Sequence, residues 1–171
     1  MDTTLVYWNP IRRVFLVWAV IVLGGFTLTY WNLAAGPDNI NFWWVVVALI
    51  GLVYTKKQMP FSDAGLRNIF LTWSLIIAIG IIYSYQVFNS PALLPYSQYL
   101  GAYWLVLMAL GHAVTGLIDK KKLYVLTVAL QIAAAILIVL LMPSMPALFA
   151  LQYLIAGLVG AVAMILLILY A

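Results

Sequence analysis

One side chain in this sequence could carry chemistry inside a membrane. His112 lies in the apolar run GAYWLVLMALGHAVTGLI and is the single histidine of the chain. Glutamate and cysteine are absent, and the four aspartates (Asp2, Asp38, Asp63, Asp119) fall at or beyond the ends of apolar spans. An ionisable group in hydrocarbon is expensive to bury, so His112 marks a functional site by default. An imidazole there could ligate a haem axially, pass a proton or touch a substrate. The plainer use is a neutral ring hydrogen-bonded between helices. A haem held by two histidines would need the second one from another chain. Asp119 follows seven residues later, ~10 Å at helical rise, which sets His112 in the half of the membrane nearer the basic clusters.

Few polar groups share that depth. Trp18 and Trp73 each follow an arginine by six residues (Arg12, Arg67), slightly deeper than the usual interfacial belt. Each indole N–H then wants an acceptor, unless the pair faces lipid at the headgroup boundary. With Ser74, Thr127 and Gln131, these residues and His112 define a candidate intramembrane polar cluster. Gln131, Thr127 or Ser74 is the expected partner of His112, since an unpaired polar atom in hydrocarbon is costly. No catalytic group, cofactor or metal site is expected.

The elements that must position this cluster are helices, and one of them is written twice. Ile11–Tyr30, IRRVFLVWAVIVLGGFTLTY, aligns without gaps with Leu66–Tyr85, LRNIFLTWSLIIAIGIIYSY. Arg12/Arg67, Phe15/Phe70, Trp18/Trp73, Gly25/Gly80 and Tyr30/Tyr85 coincide. Farther on, ALIGLVYTKK resembles AVTGLIDKKK, which pairs Gly51 with Gly116 and would make Val47 the counterpart of His112. The chain therefore reads as two-helix hairpins over residues 10–57 and 64–122, related by an axis along the membrane normal. Lys121-Lys122-Leu123-Tyr124 parallels Arg12-Arg13-Val14-Phe15 only by residue class, a weak argument for a third copy over 123–171.

Composition sets the class. The chain is 67% hydrophobic and 7% charged, with mean hydropathy +1.13, outside the range of soluble domains. The expected fold is all-α, one integral membrane domain over residues 1–171 with six transmembrane helices. Asn9-Pro10 is a favourable helix start, and Ser62-Asp63 can cap the third helix. Gly25, Gly51, Gly80, Gly116, Gly157 and Gly160 suit close helix approach. The basic residues flank the first helix and fill the second–third and fourth–fifth connections, while the other connections hold no lysine or arginine. By the positive-inside rule, both termini are cytoplasmic. The same clustering argues against nucleic acid as a partner despite a pI near 9.4; the lipid bilayer, further membrane subunits or a second copy are the expected partners.

Several functions drop out. A retinal Schiff base needs an intramembrane lysine, and a carboxylate relay needs an intramembrane Asp or Glu. Asn-Pro-Ala half-helices, phosphate-binding glycine loops and intramembrane protease constellations are missing. Two classes remain. The first, favoured by the scarcity of intramembrane polarity, is an accessory subunit of a membrane complex without catalysis of its own. The second is a small carrier or facilitator for a neutral or lipophilic solute, with His112 in its cavity.

Overall fold

The computed structural model describes residues 10–33, 40–59, 61–120, 122–145 and 148–170. They form α1 (Pro10–Asn32), α2 (Ile40–Gln58), α3 (Ala64–Asn89), α4 (Leu100–Asp119), α5 (Leu123–Leu141) and α6 (Leu148–Tyr170). Short 3-10 turns at Leu94–Tyr99 and Met142–Ser144 complete the order. Five of the six helices are long and apolar enough to cross a bilayer, which makes this a multi-pass membrane protein; α2 falls outside that set.

Local chemistry accounts for the helix ends. Pro10 opens α1; Asn9 and the turn Gly36-Pro37-Asp38 lie outside the described residues. Asp63 caps α3, its Oδ1 accepting from the Leu66 N–H at 3.0 Å. α4 begins at Leu100; the 3-10 turn Leu94–Tyr99, which holds Pro95 in its first residues, carries the chain into it. Lys120 ends α4 in the left-handed region (φ 58°), with its N–H donating to the Gly116 carbonyl. The turn into α5 follows at once. Lys56 and Lys57 lie within the last turn of α2, which runs on to Gln58.

The N-terminus of α4 is closed by another helix. Tyr99 supplies no side-chain cap. Gln152 of α6, fully buried, fills that role. Its Oε1 accepts from Gly101 N–H at 2.9 Å, and its Nε2 donates to the carbonyls of Ser97 (3.3 Å) and Phe149 (2.9 Å). An amide in an otherwise apolar helix is stable here because both ends of it are satisfied.

α1, α4 and α6 form the interior. α1 packs most extensively on α6 and α4 on α5. α6 achieves this with small residues: Ala156 and Ala163 are fully buried. A Cβ on Gly157 would stand 2.8 Å from Phe26 Cβ, and one on Gly160 2.9 Å from Val22 Cγ1 and Met108 Sδ. Without a hydrophobic drive between helices in lipid, such close approach supplies the attraction. The outward faces of α3 and α5 keep Leu71, Leu75, Ile82, Val125, Leu137 and Leu140 exposed, as lipid contact allows.

Candidate functional site

A small hydrogen-bonded unit recurs in the first four helices. In each, a tryptophan is followed seven residues later by glycine and four further on by serine or threonine: Trp18–Gly25–Thr29, Trp44–Gly51–Thr55, Trp73–Gly80–Ser84 and Trp104–Gly111–Thr115. The hydroxyl donates to the glycine carbonyl one turn back on its own helix, at 2.7–2.9 Å. It accepts an indole N–H from the neighbouring helix. Trp18 donates to Thr55 at 2.8 Å and Trp44 to Thr29 at 2.9 Å, so α1 and α2 serve each other. Trp73 donates to Thr115 at 3.1 Å and Trp104 to Ser84 at 3.1 Å, so α3 and α4 do the same.

The glycines make this geometry accessible. The indole lies flat over the space where a Cβ would stand, with Trp104 ring carbon 2.3 Å from that point at Gly80 and Trp44 ring carbon 2.6 Å at Gly25. Gly51 faces Trp18 at 2.8 Å and Gly111 faces Trp73 at 2.7 Å. Gly116 does not take this place; it meets Tyr124 Cβ at 2.6 Å. The residue of α4 that does what Gly51 does in α2 is Gly111. Trp44/Trp104, Gly51/Gly111 and Thr55/Thr115 are each sixty residues apart, five fewer than the sixty-five separating Gly51 from Gly116 in the alignment of the two segments.

The tryptophans also wall a cleft between α1–α2 and α3–α4, closed from behind by Met164 of α6. Its inner crevice, a cavity of about 30 Å³, lies between Trp18, Trp44, Trp73, Trp104, Met108 and the Ile76–Ile77–Ile81 face. Trp44 and Trp104 stack there (5.8 Å, 16°), with Phe26 edge-on to both. Each of the four indole N–H groups is already engaged by a hydroxyl, so what the walls present is ring surface and hydrocarbon. A second narrow crevice of about 40 Å³ shares Trp18, Trp73 and Met164 with the first and adds Phe15, Thr55, Met59, Ile69 and Phe70. A wider mouth of about 220 Å³ shares Phe15, Met59 and Ile69 with the second. Asp63, Thr115, Asp119 and Tyr124 supply its polar lining.

The candidate polar cluster divides into separate pieces. His112 and Gln131 are fully buried and meet each other, Nδ1 to Oε1 at 3.0 Å. With the amide oxygen facing Nδ1, the ring proton sits on Nδ1 and Nε2 presents a lone pair. Among the described residues, neither His112 Nε2 nor Gln131 Nε2 has a hydrogen-bond partner. Trp73 stands edge to face with the imidazole at 5.1 Å, and Phe15 and Tyr124 flank it at 6.4 Å. His112 therefore sits one ring behind the wall of the cleft and lines none of its three parts. Trp18 belongs to the other hairpin. Thr127 donates to Tyr124 carbonyl at 2.9 Å and Ser74 to Phe70 carbonyl at 2.8 Å, each on its own helix.

The sequence reading missed Thr29, Thr55, Ser84, Thr115, Trp44, Trp104 and Gln152. The first six were legible as a spacing that occurs four times. Gln152 had no such signal beyond being an amide within an apolar helix. Among the described residues, no group of three or more His, Cys, Asp or Glu could hold a metal ion. No known protein family, curated protein or solved structure matches this chain.

Proposed function

We propose that this protein binds and carries a neutral or lipophilic small molecule within the membrane, in the cleft between two repeated hairpins. The observation that carries the reading is the inner crevice, walled by four tryptophans whose N–H groups are all engaged. The crevice, about 30 Å³ as it stands, is wholly apolar, and a lipophilic ligand would enter it by parting the two hairpins; apolar pockets are where small lipophilic molecules bind.

The same units support the finer topology. Along α1 and along α2 the two hydrogen bonds lie eleven residues apart, ~16 Å of helix in each. α2 thus stays beside α1 over about half of a ~30 Å hydrocarbon layer between these two bonds alone, which favours six passes. The alternation of connections with and without lysine or arginine then favours cytoplasmic termini. Residues 10–57 and 64–122 act as two copies of one hairpin, and α5–α6, which has no tryptophan, acts as a separate support. The chain has no cysteine, so single cysteines at Gln58 and Ser90 report sidedness cleanly. Labelling of Gln58 from outside, and not Ser90, would reverse the orientation.

The direct test of function fills the crevice. Ala48, buried against it, is replaced by Phe, and binding of a lipophilic fluorophore to purified protein in lipid nanodiscs is titrated. Saturable binding by the parent and its loss in A48F, with helicity and unfolding temperature retained, is expected. Equal uptake by both would sink the cleft reading. Stoichiometric co-purification of another membrane chain, without ligand binding, would return the accessory-subunit function.

A further inference from the structure

Five helices enclose the inner crevice as a ring, in the order α1, α2, α3, α4 and α6. The joints of that ring differ in kind. Two indole-to-hydroxyl bonds fasten α1 to α2, and two more fasten α3 to α4. The Gln152 amide ties α6 to α4. α1 meets α6 by close approach, with Phe26 and Val22 resting on Gly157 and Gly160, and this is the most extensive helix contact in the molecule. The joint between α2 and α3 is the slightest of the five. Trp44 and Thr55 of α2 bond to α1, and Trp73 and Ser84 of α3 bond to α4, so these four groups hold each hairpin together and leave the hairpins separable.

Parting α2 from α3 therefore keeps all four units whole. It requires Trp44 to leave Trp104, the stacked pair that bridges the hairpins at 5.8 Å. The α1–α6 seam suits a pivot, because a helix seated on glycines can turn along its line of contact, as packed helices do in shear motions. Some such movement is needed for any solute. At about 30 and 40 Å³ the two crevices have room for a few water-sized groups at most. Outside the joint lies hydrocarbon: Leu49 and Val53 of α2 and Leu71 and Leu75 of α3 are all exposed.

We propose that the joint between α2 and α3 is a lateral portal to the bilayer. α1–α2 swings as one body about the α1–α6 seam, Trp44 leaves Trp104, and a lipophilic solute already dissolved in the membrane passes between α2 and α3 into the crevice. This rests on the cleft reading above and deepens it, naming the medium the solute comes from and the part that moves to admit it.

The experiment places pairs of spin labels on the full chain, which has no cysteine of its own, in phosphatidylcholine nanodiscs. Val53 with Leu71 joins α2 to α3, and Val20 with Val53 lies within the swinging hairpin; all three side chains are exposed, so the labels displace no packing. Leu49 with Leu75 is the second portal pair, used if the first lowers pyrene affinity below that of the unlabelled parent. Pyrene is the solute, and energy transfer from tryptophan reads its binding. Pyrene should saturate, the Val53–Leu71 distance should gain a longer component in step with occupancy, and the Val20–Val53 distance should hold. Saturation with both distances unchanged, or with Val20–Val53 shifting as far as Val53–Leu71, overturns the portal and leaves the cleft intact. If pyrene does not saturate the unlabelled parent, the cleft reading falls and the portal with it.

Discussion

The four tryptophan–glycine–hydroxyl units and the His112–Gln131 pair are both polar constructions inside a membrane protein, and they are built on opposite principles. In each unit every N–H and O–H is matched: indole to hydroxyl, hydroxyl to carbonyl. Nothing is left over, and each unit joins two helices of one hairpin. The His112–Gln131 pair joins α4 to α5 with one bond and leaves two nitrogens unpaired. A matched unit is a fastening. An unmatched pair in the same medium has capacity for one more hydrogen-bonding group, and it stands one ring from the cleft.

The comparison breaks most severely at the glycines. Gly80→Ala would place a methyl 2.3 Å from the Trp104 ring, and we expect about 3 kcal/mol of destabilisation, the upper part of the overpacking range. Gly24→Ala, with nothing within 4 Å of the new atom, is the control and should cost nothing or help slightly through helix propensity. Reversible unfolding in mixed micelles reads both. Equal effects at the two positions would mean that the indoles do not seat on the glycines.

The unmatched pair should respond in the reverse way to partial and complete removal. His112→Leu leaves the buried Gln131 amide with neither end satisfied and should cost about 1–3 kcal/mol. Adding Gln131→Leu should recover much of that loss, because two orphaned amide ends disappear together. A double variant as unstable as the sum of the singles would show that the two side chains are not coupled.

The smallest effect is expected at a single indole N–H. Trp18→Phe removes one donor while Thr55 keeps its bond to Gly51, for a loss of about 0.6 kcal/mol from the hydrogen bond, typical between membrane helices. Trp18→Phe and Trp73→Phe sit in different hairpins, so their effects should add. Strong coupling between them would place both rings on one shared element of the cleft wall and sharpen the view of Trp18 and Trp73 as its narrowing.

How much of this was legible depends on the range of the interaction. The spans Ala64–Asn89 and Leu123–Leu141 follow from apolar length and flanking charge, because a bilayer imposes length on every helix alike. The Asp63 cap is local and was readable. The relation of Trp18 to Trp73 is carried by identity at a fixed offset, so it was visible too. The pairing of Gly51 with Gly116 was not a safe reading, since small residues align by chance in any apolar segment. Only the indole resting on Gly111 separates the two candidates.

What the sequence determined by itself is the number of helices and how apolar they are, since those depend on residues adjacent in the chain and on the solvent around them. What only the tertiary structure decided is which polar atoms meet. Gln131 faces His112 and Gln152 faces Gly101 across separations of 19 and 51 residues. Helical periodicity fixes the face of a side chain relative to its own helix. It does not fix the rotation of that helix against its neighbours, and that rotation sets the cleft and puts His112 behind its wall.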